Sequence, residues 1–227
     1  MRFSFEKNGL YRRVKEKVLK KFTVDELKDE THSKMYTQIF LGLFFVFLTI
    51  AAMFQSYLAA GVCSFLLLGI VGIAHNFVHH KTNYYQYMFL LAGFTHSEWQ
   101  IMHCLSHHLY PNLEIDYEAA AFEPISYFLR SMPENHMLVE VVLQFVYFFL
   151  QPLNMTLKVV IVPIVKRKKP DFWYAVPLFI FAFFYLFNDS LYETLKIYLF
   201  MYGIFGLILG RILFCGHRLQ ELWTEGA

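Results

Sequence analysis

The sequence predicts an all-α integral membrane protein, with about four transmembrane helices in two hairpins and further interfacial helices. Hydrophobic residues make up 57% of the 227 residues and charged residues only 17%, against roughly 45–50% and 25% in soluble domains. The apolar residues are also concentrated in four long runs. This composition excludes a disordered chain, and the net charge of +2 argues against a nucleic-acid partner.

The first two apolar runs, residues 38–54 and 57–74, contain no charged residue. Each approaches the length that a helix needs to cross a bilayer, about 17–25 residues. Only Gln55 and Ser56 separate the two runs, which predicts a tight helical hairpin. Buried helices of a soluble protein are the alternative, but four such runs in a short chain leave too few polar faces for it.

The other two runs, residues 173–187 and 195–214, predict a second hairpin that turns at 188–191. The third run is short for a membrane span. Between the hairpins, residues 137–165 are apolar but are interrupted by charged residues and by Pro152. We expect this stretch to be membrane-embedded or interfacial rather than one straight span.

The distribution of basic residues predicts the orientation in the membrane. Residues 1–37 hold half of all Lys and Arg, a second basic cluster occupies residues 166–169, and the two hairpin turns carry none. Loops that carry Lys and Arg stay on the cytoplasmic side of a membrane. We therefore expect the N-terminus, the middle region and the C-terminus to be cytosolic.

The segment 1–37 is predicted to be a cytosolic, basic and amphipathic region. Leu10, Val14, Val18 and Phe22 recur every four residues, and basic residues lie between them. A helix of this kind suits the anionic cytosolic leaflet of a membrane. A solvated basic linker is the alternative.

Histidines carry the strongest functional signal. Two HxxxHH motifs occur within 34 residues, one directly after the second apolar run. On an α-helix, residues four apart share a face, so each motif is expected to direct two imidazoles the same way. The sequence therefore predicts a site for one or two metal ions. Its candidate ligands are His75, His79, His80, His103, His107 and His108, with His96 and His217 as weaker candidates.

The residue types around the motifs restrict the metal only partly. Imidazole suits iron, zinc, copper and nickel, and the few cysteines exclude a structural zinc site built from thiolates. His96 is better explained as an interfacial histidine than as a ligand. Carboxylates near the second motif could join the site, although a solvated turn is the preferred interpretation for each of them: Glu98, Glu114, Asp116 and Glu118.

The paired histidine motifs after paired apolar runs resemble the membrane fatty-acid desaturase superfamily. More narrowly, the region of the second motif is similar to the cytochrome b5-related proteins of animals. The similar residues are Ser97-Glu98-Trp99, the motif itself with Tyr110-Pro111-Asn112, Asp116, Glu118 and Phe122-Glu123-Pro124. Residues 3–11 resemble the segment that follows their haem domain. The resemblance implies that residues 38–227 form a desaturase-like membrane domain.

This resemblance implies an activity and its partners. Members use a non-haem di-iron centre held by histidines, on the cytosolic face of the endoplasmic reticulum. The implied reaction is desaturation or hydroxylation of an acyl chain or membrane lipid. Cytochrome b5 or its reductase is implied as the electron donor.

The chain also departs from the family pattern. No HPGG-like haem-binding segment is present, and the third histidine motif of the superfamily is missing, with His217 the one histidine after the last run. We interpret the chain as a membrane domain without a haem domain and incomplete at its C-terminus. Two alternatives remain open: a non-catalytic relative that binds lipid or a partner, and a zinc-dependent membrane hydrolase, which needs only three protein ligands and a water.

Overall fold

A computed structural model of the chain describes residues 9–79, 83–94, 96–111, 116–120, 142, 146, 149 and 172–217. These residues are predominantly helical and include no β-strand, which confirms the predicted all-α class. The basic cluster at 166–169 and nearly all of the stretch 137–165 lie outside the described residues.

The helices follow the apolar runs closely. In chain order the described elements are α1 (Leu10–Lys21), α2 (Val24–Lys28), α3 (Thr31–Phe54), α4 (Tyr57–Val78), a 3-10 helix (Tyr84–Ala92), α5 (His96–Trp99) continuing into a π-helix (Gln100–His107), α6 (Tyr117–Ala120), a second 3-10 helix (Phe172–Ala175), α7 (Val176–Leu186) and α8 (Leu191–His217). Three of these, α3, α4 and α8, are long and apolar enough to cross a membrane, whereas α7 has 11 residues and is shorter than a span.

The predicted first hairpin is confirmed. Helix α3 ends at Phe54, and Gln55 takes a left-handed backbone conformation with φ of 50°, which reverses the chain direction. The Ser56 hydroxyl then accepts a hydrogen bond from the backbone N–H of Ala59 at 3.2 Å and caps the start of α4. A serine N-cap satisfies one of the backbone donors that a helix start leaves unpaired, so two residues are enough for the turn.

Helix α4 lies at the centre of the bundle and packs against both α3 and α8. Ser64 connects α4 to α8, because its hydroxyl lies 2.6 Å from the carbonyl oxygen of Met201. Large apolar side chains on the outside remain exposed, with Leu58 at 82%, as expected where lipid is the solvent. The buried core between the three helices includes Phe44, Leu48, Cys63, Leu67, Ile70, Ile197, Met201 and Tyr202.

Two hydrogen bonds fasten the segment after the first histidine motif to the start of α3. The Asn83 side-chain amide donates to Glu30 Oε2 at 2.8 Å, and the Gln38 amide donates to the Tyr85 hydroxyl oxygen at 2.7 Å. The hairpin of α3 and α4 therefore has its turn at one end and the first histidine motif at the other.

Candidate metal centre

The first histidine motif lies at the end of α4. His75 is in the last turn of the helix, and His79 follows Val78, the final helical residue. The two rings have centroids 5.4 Å apart, as expected for residues separated by one helical turn. The sequence-predicted neighbour His80 lies outside the described residues.

The second motif lies on a π-helix, and this brings a further histidine, His108, next to His103. The backbone N–H of His108 donates to the carbonyl oxygen of His103 at 2.9 Å, a bond between residues five apart, and His108 Nε2 lies 2.8 Å from His103 Nε2. The rings of His103 and His107 stack with centroids 5.5 Å apart, as their spacing predicts, and the π-helix in addition places His108 against His103. Single π-turns within helices occur frequently at functional sites.

Four histidines meet where the two motifs face each other. The candidate ligand atoms of His75, His79, His103 and His108 all lie within 4.8 Å of one another, and His75 Nε2 is 2.6 Å from His103 Nε2. His103 is buried, while His79 and His108 are exposed. The cluster could hold a metal ion and is open on one side.

Two carboxylates contact the Nδ1 atoms of histidines in the second motif. Glu118 Oε2 lies 2.5 Å from His103 Nδ1, and Asp116 Oδ2 lies 2.8 Å from His107 Nδ1. Between these two pairs, the Ser106 hydroxyl accepts from the backbone N–H of Tyr117 at 2.7 Å. Residues 116–118 therefore run antiparallel to the π-helix and fasten three of its residues.

The solvated turn favoured from the sequence is wrong for these two carboxylates. Asp116 is 0% exposed and Glu118 is 3% exposed, and buried carboxylates require partners of this kind. The spacing of the two acids does not identify their partners, because these are reached only when the chain folds back along the π-helix. Glu114 and the side chain of Glu98 lie outside the described residues.

The imidazole nitrogens of the cluster are better placed to bind a cation than to form hydrogen bonds with one another. A carboxylate only accepts hydrogen bonds, so Nδ1 of His103 carries a proton, and Nε2 is the ring nitrogen whose lone pair could bind a metal. Two further Nε2 atoms, of His75 and His108, approach that one lone pair. Nitrogens bound to a common ion at about 2.0–2.1 Å stand roughly 3 Å apart. The residues present thus fit an imidazole-bound transition metal.

Burial and hydrogen bonding shift the pKa values of the other groups around the cluster in different directions. The hydrogen bond to Asp116 raises the pKa of His107, whereas burial lowers the pKa of His108 and so favours its neutral, lone-pair form. Burial also raises the pKa of the Cys104 thiol, which lies 3.7 Å from His79 Nδ1. Cys104 is therefore a neutral neighbour of the cluster rather than a thiolate.

Aromatic rings form one wall of the site. Trp99 stacks on His103 with ring centroids 4.8 Å apart and on Phe89 with centroids 4.9 Å apart. His96 packs near Tyr87 instead, at 5.7 Å between centroids, and is not one of the four clustered histidines. His217 is the last residue of α8, and its side chain lies outside the described part of the chain.

Comparisons with known proteins agree with this geometry. The family described as Fatty acid desaturase matches residues 39–225. A cytochrome b5-related protein of Drosophila melanogaster is 30% identical over 123 residues, which are 54% of this chain and 28% of that protein. The similar segment thus spans less than a third of that relative. No solved structure matches the chain. Because the family match covers most of the sequence and includes both histidine motifs, the chain belongs to the fatty acid desaturase family.

Proposed function

We propose that the chain acts in lipid metabolism as a non-haem iron oxidoreductase that desaturates or hydroxylates an acyl chain. The observation that carries this proposal is the four-histidine cluster with its buried carboxylate support, in a chain of the fatty acid desaturase family. Iron held by imidazole supplies one-electron and oxygen chemistry when bound.

The ligands proposed for the metal are His75, His79, His103 and His108, with His80 and His107 as further members of the two motifs. A di-iron centre is part of the proposal, because members of the family pair two irons and these motifs supply up to six imidazoles. Nδ1 of His107 contacts Asp116, so His107 would bind a metal through its other ring nitrogen, Nε2.

The chain's own groups would prepare the site in two ways. Glu118 holds the Nδ1 proton of His103 and so fixes which ring nitrogen is available as a ligand. Trp99, which is 7% exposed, covers His103 on one ring face and keeps water from it. The exposed histidines, His79 and His108, lie where an acyl substrate and an electron donor would have access.

The electron donor and the location are part of the same proposal. The name of the relative from Drosophila melanogaster refers to cytochrome b5, and we propose cytochrome b5 or its reductase as the donor. The endoplasmic reticulum membrane is the proposed location by resemblance to the family. Both termini are proposed to be cytosolic, because residues 1–37 hold half of all Lys and Arg and loops rich in Lys and Arg stay on the cytoplasmic side.

Elemental mass spectrometry of the purified, detergent-solubilised chain tests the metal centre first. About two irons per chain support the proposal. One zinc per chain would favour the hydrolase alternative, since a catalytic zinc needs three protein ligands and a water. A folded sample without stoichiometric metal would favour a non-catalytic relative.

The activity is tested separately. The chain would be reconstituted in vesicles with cytochrome b5, its reductase and NADH, and acyl products would be identified by mass spectrometry. The informative variant is His103→Ala, and the matched control is His32→Ala, because His32 is exposed and is not one of the four clustered histidines. We expect product and bound iron to disappear together in the first variant and to persist in the second.

A further inference from the structure

The N-terminal helix α1 presents an apolar face that no described part of the chain covers. Helix α1 has no buried residue, and Leu10, Tyr11, Val14 and Val18 are each exposed by a third or more, with Leu10 at 71%. At roughly 100° per residue, Leu10, Val14 and Val18 fall within one narrow stripe. We call this stripe, with Tyr11 beside it, the apolar stripe of α1.

The charges of α1 are arranged around this stripe in a specific way. Lys15 and Lys17 flank it on its two sides, and the last turn of the helix adds Lys20 and Lys21. The single acid of the helix, Glu16, lies roughly opposite the stripe and pairs with Arg12 at 3.0 Å. The lysines beside the stripe can therefore contact an anionic surface while the stripe enters an apolar one.

The position of α1 fits the same partner. The chain passes from α1 through the short helix α2 into α3, and the start of α3 is fastened to the segment after the first histidine motif by Asn83 and Glu30. Helix α1 is therefore tethered at the histidine end of the membrane-spanning hairpin, and the nine residues 22–30 separate its end from the start of α3.

We propose that α1 lies flat on the anionic lipid surface of the leaflet that faces the histidine cluster. Its apolar stripe enters the boundary between headgroups and acyl chains, and its lysines contact anionic headgroups. Long lysine side chains keep their ammonium groups at the headgroups while their methylenes cover apolar surface. This surface does not depend on the metal or on the proposed reaction.

Site-specific photo-crosslinking of the full chain tests this proposal. The photoreactive residue p-benzoylphenylalanine would replace Val14, inside the stripe, or Glu16, on the opposite face. Each protein would be reconstituted in nanodiscs of phosphatidylcholine alone or with about 30% phosphatidylserine, the latter to mimic an anionic leaflet. Protein–lipid adducts would be measured by intact mass.

We expect lipid adducts to form several-fold more at position 14 than at position 16, and to increase several-fold with phosphatidylserine. The combined substitutions Lys15→Gln, Lys17→Gln, Lys20→Gln and Lys21→Gln should remove the increase. Metal content and thermal unfolding serve as controls, because α1 buries nothing and these variants should leave both unchanged.

Three results would overturn the proposal. Equal lipid labelling at both positions would mean that the stripe does not face the bilayer. A yield of lipid adducts that does not change with phosphatidylserine would mean that anionic headgroups are not the partner. Adducts with a second copy of the chain or with another protein, in place of lipid, would assign the stripe to a protein interface.

Discussion

Glu118 accepts a hydrogen bond from Nδ1 of His103 at 2.5 Å, and both side chains are buried. Because the carboxylate fixes the proton on one ring nitrogen, it directs the lone pair of the other towards His75 and His108. Carboxylates that orient a histidine ligand in this way typically change metal affinity by 10–100-fold.

We therefore expect Glu118→Gln to weaken metal binding by about 10–100-fold while the protein remains folded. The matched variant is Asp116→Asn, which acts on His107 outside the four-histidine cluster and should weaken binding less. Metal affinity would be measured by competition with a chelator of known affinity. Equal losses in the two variants would contradict the positioning role of Glu118.

The π-helix leads to a second prediction, on which histidine of the second motif matters more. His108 approaches His103 and belongs to the cluster, whereas His107 faces Asp116. We expect His108→Ala to reduce bound metal more than His107→Ala. Metal per folded chain would be measured by elemental mass spectrometry. The reverse order would indicate that the segment is wound as an ordinary α-helix in the metal-bound protein.

Glycine packing between α3 and α4 provides a third prediction. A Cβ added at Gly69 would lie 2.8 Å from Cε1 of Phe40, whereas one added at Gly72 would meet nothing within 4 Å. Both glycines lie on α4, so alanine brings the same gain in helix propensity at each. We expect Gly69→Ala to have a free energy of unfolding about 1–3 kcal/mol lower than Gly72→Ala, the usual effect of overpacking.

Thermal unfolding in one detergent, with helicity followed by circular dichroism, would compare the two glycine variants. Equal stability of both would show that Phe40 moves aside without cost.

The buried hydroxyl of Ser64 gives a fourth prediction. It lies 2.6 Å from the carbonyl oxygen of Met201 on the neighbouring helix. Hydrogen bonds between membrane helices contribute about 0.6 kcal/mol on average and up to about 1.7 kcal/mol. Ser64→Ala should therefore lower the free energy of unfolding by a value within about this range. Thr49→Val is the control, because Thr49 bonds only within its own helix, to Phe45 at 2.8 Å. A loss no larger than in the control would mean that the contact between helices is not stabilising.

Hydropathy was enough to predict most of the fold. The uncharged runs 38–54 and 57–74 became α3 and α4, and Gln55 and Ser56 form the turn expected between them. The third run was predicted as a span of the second hairpin, yet α7 covers only Val176–Leu186. Hydropathy records where apolar residues lie but not where a helix begins within them, and the residues before α7 are wound as a 3-10 helix.

The site was less accessible to prediction. Spacing brought His75 and His79 together correctly, because α4 remains α-helical to its end. The same spacing also brings the rings of His103 and His107 together. It does not predict the contact of His108 with His103, since the choice between an α-turn and a π-turn depends on tertiary contacts. Asp116 and Glu118 could not be assigned from sequence because their partners are reached only when the chain folds back along the π-helix.

The π-turn at His103 also connects backbone winding to ligand binding. If the segment rewound as an α-helix, His108 would lie roughly 140° around the helix axis from His103, and the cluster would lose a nitrogen. A metal ion that binds only the π-helical form would stabilise that form. By linkage, the free energy that favours rewinding would weaken metal binding by the same amount. Metal binding at the cluster and the winding of the second motif would then be thermodynamically linked.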